Sequence, residues 1–226
     1  MDEARWLPRL MRSLATLCVA LAFALSPLMR VNVHAQELVF FSRDFPNSLP
    51  PYFAVEVRRD GVAFYREEPE QEGPLKFSLT AEEVTTVFDL VEKLDYFGRD
   101  LASKRKVAFT GDKLLRYVSP SGKVTEAKFV FTEDRDALAL TSWFLRAGES
   151  ERHLMELERV FRFDRLGVNK ALLQFQTSFD KDRIVAAHQF LPILRKIAAR
   201  KKIVHIARAR AASLEDRIEK NTGATQ

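Results

Sequence analysis

The chain has 226 residues, with 36 Lys and Arg against 31 Asp and Glu, a net charge of +5, and one cysteine. A single cysteine excludes an intrachain disulfide and a cysteine-built metal site. An apolar content of 46% with 18 phenylalanines suits one compact domain or two closely packed subdomains, with stability drawn from packing.

Residues 1–35 read as a secretory signal. Arg5, Arg9 and Arg12 give a basic start, and Leu14 to Leu25 is apolar apart from Thr16. Ser26-Pro27 and Arg30 close that run short of the ~20 residues a membrane-spanning helix needs. Val33-His34-Ala35 supplies the small residue expected before a cleavage point, which sets the mature start at Gln36. Cys18 falls inside the signal, so the mature chain carries no thiol. Export to a periplasm or beyond is the expected localisation.

The first half of what remains alternates like sheet. Glu37 to Ser42 and Tyr52 to Arg58 are short strands separated by a loop with Pro46, Pro50 and Pro51. Asp60-Gly61 then reads as a tight hairpin turn with both residues at positive φ, leading into Val62 to Tyr65. The acidic loop Glu67 to Pro74 precedes a strand at Leu75 to Leu79. Thr80 with Glu83 forms a capping box, and Val84, Val87, Phe88, Val91 and Leu94 make the apolar stripe of a helix over 81–94.

Lys106 to Phe109, Leu114 to Val118 and Val124 to Phe131 read as further strands. Between the first two, Thr110-Gly111-Asp112-Lys113 has the look of a phosphate loop. It contains one glycine, however, and is followed by a strand where a Walker-type loop needs converging backbone N–H groups and a helix. The segment is a turn in a meander, and Ser119-Pro120-Ser121-Gly122 is the next turn.

From Thr132 the period becomes helical, with Thr132 as cap and Glu133, Asp134 and Asp136 in the first turn. The core-facing positions before Gly148 (Ala137, Leu140, Thr141, Phe144) point about 150° away from those after it (Leu154, Leu157, Val160, Phe161), at ~100° per residue. One straight helix cannot bury both sets against one surface, so a break is expected near Gly148, with Ser150 as the new cap. Asn169 is placed as the cap of the next helix, Pro192 in the first turn of another, and Ile203 to Ile218 forms a last one. The expected fold is α+β: a mainly antiparallel sheet with one capped helix over 36–131, a helical subdomain over 132–220 packed on or beside it, and a frayed tail at 221–226.

The Asp60-Gly61 turn followed by Tyr65, the helix capped at Thr80, the run Ala108 to Lys113 and the late Phe163-Asp164-Arg165-Leu166-Gly167-Val168 together resemble a group of uncharacterised exported bacterial proteins. The same hairpin, helix and meander are similar to small secreted domains, with Phe45 to Pro51 standing where those carry a cysteine. Neither resemblance implies an activity or a catalytic residue.

The polar residues exclude several chemistries. There is no Gly-x-Ser-x-Gly elbow and no His-Glu-x-x-His zinc signature. Glu67, Glu68, Glu70 and Glu72 lack the spacing that wraps calcium and read as a solvated loop. His153 and Glu156, with Glu149 one turn earlier, are the candidate metal ligands, set against a surface helix with i,i+3 and i,i+4 pairs. The phenylalanines are first a core and secondarily the lining of a ligand cavity. Residues 183–214 carry eight basic residues and no acid, leaving the rest of the mature chain at −5. Within that tract Arg200, Lys201 and Lys202 are the candidate polyanion or membrane contact.

Three functions are therefore carried forward. The first is an exported non-enzymatic binding or scaffold domain, the second a weak binder of polyanions or membrane surfaces, and the third a hydrolase with a spatially assembled carboxylate and His site. No cofactor motif is present. The expected partner is a protein or small ligand, with weak contact to anionic lipid headgroups and none to nucleic acid.

Overall fold

The computed structural model describes residues 36–223. The export segment read at 1–35 and residues 224–226 lie outside that range. Among the described residues the fold is α+β, as expected: a six-stranded antiparallel sheet with a helical C-terminal half.

The strands are β1 (Leu38–Asp44), β2 (Tyr52–Arg58), β3 (Val62–Arg66), β4 (Leu75–Ser78), β5 (Asp112–Val118) and β6 (Val124–Phe129). Their order is β4-β3-β2-β1-β5-β6, so β1 is central, with Phe41 paired to Val55 on one side and Leu115 on the other. The two-residue period sends Val39, Phe41, Val55, Val57, Leu115 and Tyr117 to one face, where all are buried. The opposite face is dressed by Arg58 over Phe64, Arg116 over Phe40, and Glu56 held between Arg58 and Arg66. One edge of the sheet is the four-residue β4, and the other, β6, carries Glu126 and Lys128.

At the β2–β3 hairpin only Gly61 takes positive φ, at 83°. Its N–H donates to the Arg58 carbonyl, and the Asp60 carboxylate accepts from Val62 N–H, which makes a three-residue loop instead of the expected two-residue turn. Residues 106–109 form no strand. Both neighbours of β5 are already occupied by β1 and β6, so this alternating segment has no ladder to join and leaves Val107 and Phe109 exposed.

Helix α1 (Ala81–Lys93) starts at the expected capping box, with Glu83 N–H donating to Thr80 Oγ1 and Thr80 N–H donating to Glu83 Oε2. Its stripe Val84, Val87, Phe88 and Val91 packs into the sheet's core. The next helix, α2 (Arg135–Phe163), is one element of 29 residues, about 43 Å long at ~1.5 Å per residue. Its cap is Asp134, whose carboxylate accepts from Asp136 and Ala137 N–H, while Thr132 is buried and supports Asp134 N–H.

The break expected at Gly148 does not occur. The angular offset between the two halves is real, but each half buries against a different layer. Ala137, Leu140, Trp143, Phe144 and Ala147 pack on the sheet, whereas Leu157 and Val160 pack on α3 (Val168–Asp180), α4 (Leu191–Ala199) and α5 (His205–Gly223). The boundary between the two hydrophobic cores therefore runs through the middle of α2. Gly148 sits there because a Cβ would meet the Phe53 ring at 2.7 Å. The glycine permits close approach of helix and sheet; it does not end the helix.

Helix α3 begins at Gly167 without a side-chain cap. Asn169, expected as that cap, lies within the helix and accepts a hydrogen bond from Arg210, while Asp164 takes the Gly167 N–H. Two bonds tie the segment after α3 back to α2 and α1: Ser150 Oγ accepts from Val185 N–H at 2.8 Å, and Glu83 Oε1 accepts from Ala186 N–H at 2.6 Å.

Candidate functional site

The sheet and the helical layer leave a groove of about 700 Å³ beside the middle of α2. Its walls are the loop after β1 (Leu49, Pro50), Phe53 and Tyr65 from the sheet, Leu145 to Glu156 on α2, and Gln174 to Ser178 on α3. Arg43 also lines it. As the third residue in the series Val39, Phe41, Arg43, it belongs to the face of β1 that points into the core.

Arg43 is paired across the ladder with Lys113, also on the core-facing side of its strand. Like charges placed opposite each other destabilise a sheet. Lys113 Nζ relieves its own burial by donating to the carbonyls of Thr110, Gly111 and Val130 at 2.7–3.3 Å. This explains the turn at Thr110 to Lys113: its carbonyl oxygens converge on a cation, the opposite polarity to a phosphate cradle, and Gly111 at φ 91° lets the chain pass within 2.8 Å of the Asp44 carbonyl at the Cβ position. Burial, with Arg43 adding repulsion, pulls the Lys113 pKa below the ordinary lysine value.

Arg43 itself is less well satisfied. One Nη donates to Ser48 Oγ at 3.1 Å, the guanidinium lies 5.2 Å from the Phe53 ring centroid, and Nε is buried without a hydrogen-bond partner. Burial first, and then the neighbouring Arg152, hold its pKa below the usual arginine value. Arg152 projects from α2 at the open side of the groove and donates to the Leu49 carbonyl at 2.7 Å. Among the described residues neither arginine has a carboxylate within ion-pairing distance. Three cations, Arg43, Lys113 and Arg152, thus meet at one end of the sheet with no ion pair among the described residues; Glu149 and Glu156, which line the same groove, are held by Arg183 and Arg159.

Arg43 and Leu145 also line a second groove, of about 460 Å³, on the other side of the β1 end. Its walls are mainly apolar: Phe45, Phe109, Phe129 and Leu138. Thr141 Oγ1 lines it and is likewise buried without a partner.

The candidate metal ligands separate. Glu149 and His153 come together, with His153 Nε2 3.7 Å from Glu149 Oε1. Glu156 turns instead to Arg159, which donates to both of its oxygens at 2.8 Å. Among the described residues no three His, Cys, Asp or Glu side chains gather as metal ligands.

What Glu149 and His153 do join is Ser178 on α3. The Ser178 hydroxyl donates to Glu149 Oε1 at 2.8 Å and lies 3.0 Å from His153 Nε2; Arg183 donates twice to Glu149 Oε2 at 2.6 and 3.0 Å. Burial holds the His153 pKa below its ordinary value, partly opposed by Glu149. With its one proton on Glu149, Ser178 receives the Nε2–H of His153. A serine nucleophile needs the reverse, an imidazole lone pair that takes the hydroxyl proton and a carboxylate on the far ring nitrogen. The network is a clamp between α2, α3 and the turn at 181–184.

No protein-family model, curated protein or solved structure matches this chain. No residue role is therefore carried over from a relative.

The basic tract is divided by the fold. Arg183 is held by Glu149, Arg195 by Glu215 and Glu219, and Arg210 by Asn169 and Gln176. Of the candidate trio, Arg200 donates to the Phe161 carbonyl at 2.9 Å, while Lys201 and Lys202 are exposed on the turn before α5.

Arg43, Arg152 and Ser178 went unnoticed in the sequence. For Arg43 and Lys113 a signal existed, since each is a cation at a core-facing position of an alternating strand. For Arg152 and Ser178 none did, because their roles arise only where loop, α2 and α3 meet.

Proposed function

We propose that the protein is an exported, non-enzymatic binding domain that holds a small amphiphilic anion, with its charged head at Arg43 and Arg152 and its apolar body along Phe45, Phe109 and Phe129. The observation that carries this reading is the buried, unpartnered Nε of Arg43 in a cluster of three cations, none of which forms an ion pair among the described residues. An unpaired buried polar group costs about 1–3 kcal/mol, and an anion seated between the two arginines offsets that cost by supplying the acceptors. Arg43 lines both grooves, so one ligand reaches the polar and the apolar one. The export half of the proposal rests on the basic start, the short apolar run and the Val33-His34-Ala35 site; intact mass of the protein recovered from the periplasm tests it, and retention of Met1 there contradicts it.

Thermal melts at constant ionic strength test the binding half. Octanoate raises the melting temperature saturably, inorganic phosphate does so less, and neutral octanol does not, because only the first offers both head and body. Arg152→Gln, at an exposed position that leaves the core intact, abolishes the octanoate effect. The reading fails if octanoate matches a chloride control, or if Arg152→Gln and Arg43→Gln both respond as the unmodified protein does.

A further inference from the structure

The far end of the helical layer combines exposed apolar side chains with exposed cations. The guanidinium of Arg200 bonds the Phe161 carbonyl and lies 4.6 Å from the Phe161 ring, which brings the turn before α5 to the end of α2. Helix α5 then runs beside α3 from its start, Arg210 bonding both Asn169 and Gln176. The α2–α3 loop, the α4–α5 turn and the first turn of α5 therefore form one tip. On it Phe163 is 81% exposed and Leu166 86%, with Val204 and Ile206 about half exposed. Side chains of this size left in water on adjoining loops mark an interaction surface.

The charges say of what kind. Arg162, Arg165, Lys201 and Lys202 are exposed among these residues, against the acids Asp164 and Glu158. Asp164 is occupied with the Gly167 N–H, and Glu158 lies 4.0 Å from Arg162. The apolar residues are interrupted by cations and do not form a continuous dry patch. A protein interface would have to desolvate those cations, whereas a bilayer takes the apolar tips between acyl chains while Lys and Arg reach the headgroups. The geometry points to peripheral docking of this tip on an anionic phospholipid bilayer, with Phe163 and Leu166 inserted and Lys201 and Lys202 at the phosphates. Arg200, committed to Phe161, is not part of the contact.

The described residues, 36–223, fall in one compact unit that holds both hydrophobic cores, so the chain from Gln36 is the protein to use, free of the apolar run at 14–25. It is co-sedimented with vesicles of phosphatidylglycerol and phosphatidylethanolamine, or of phosphatidylcholine alone, at low and physiological salt. Binding to the anionic vesicles only, weakened by salt, is expected, because the basic residues are drawn to a negatively charged surface. Phe163→Ser with Leu166→Ser and, separately, Lys201→Gln with Lys202→Gln each weaken it about tenfold or more; all four positions are exposed, so the fold is kept. Phe163→Trp emission shifts to the blue on anionic vesicles, over the constant background of buried Trp143. Equal binding to phosphatidylcholine, unchanged binding in the Phe163/Leu166 variant, or no binding at all overturns the proposal. So does a concentration-dependent dimer that the same variant dissolves, because the patch would then belong to a second copy of the chain.

Discussion

Arg43 and Lys113 face each other on neighbouring strands at positions where the alternation calls for apolar side chains, and Glu151 does the same on the buried stripe of α2. Such residues make stability respond to charge in a predictable direction. Arg43→Met keeps the packing of the stem on Phe53 and removes a cation from beside Lys113 and Arg152. In the absence of ligand, chemical denaturation should show this variant more stable by on the order of 1 kcal/mol, as expected where a site is held at the expense of the fold. A loss of stability would show that Arg43 is a structural staple for the Ser48 loop. Glu151 is 2% exposed, and burial pushes its pKa up to about 7 despite the hydrogen bond from Gln189. The unfolded chain releases this proton near the ordinary value of 4.5, the folded chain only near 7. Between those values the folded state binds more protons, so this group's contribution to stability falls as pH rises through the window and is lowest above it. Glu151→Gln should remove that slope and gain on the order of 2–3 kcal/mol at pH 8. An unchanged pH profile in urea titrations would mean that the carboxylate reaches solvent.

At the scale of elements, what could be read in advance followed from periodicity and local chemistry. The capping box at Thr80, the stripe of α1 and the turn at Ser119 to Gly122 depend on neighbours within four residues, and all form as read. What failed depended on partners far along the chain. The alternation at 106–109 lacks a free strand to pair with, Asn169 is drawn to Arg210 from α5, and Gly148 marks the Phe53 ring instead of a helix end. The offset between the two halves of α2 was legible, but its meaning required knowing that two layers, and not one, receive the helix. Phe88, at the centre of the α1 stripe, is 4% exposed beneath Arg59. Phe88→Ala should cost about 3–5 kcal/mol in equilibrium denaturation; a change within error would mean that the sheet closes over the space without α1.

Across the molecule, the shared helix joins the two cores. Helix α2 carries one core on its first half and the other on its second, and Ser150 and Glu83 tie the 183–187 segment to both α2 and α1. The two grooves that meet at Arg43 lie at this junction, supported on rigid elements from both layers. The α+β class and the division into a strand-rich and a helical half were legible in the order of the segments; the groove was not, because it is made by their docking. The central claim is that the cation cluster at this junction receives an anionic head. Arginine Nε–H correlation spectra of the chain from Gln36, assigned by single Arg→Lys changes and titrated with octanoate at constant ionic strength, address it directly. Saturable shifts of Arg43 and Arg152, with Arg195 and Arg217 unmoved in their ion pairs, are the predicted result. If Arg43 and Arg152 stay fixed, or if every arginine drifts together without saturation, the groove does not hold the anion and the account is contradicted.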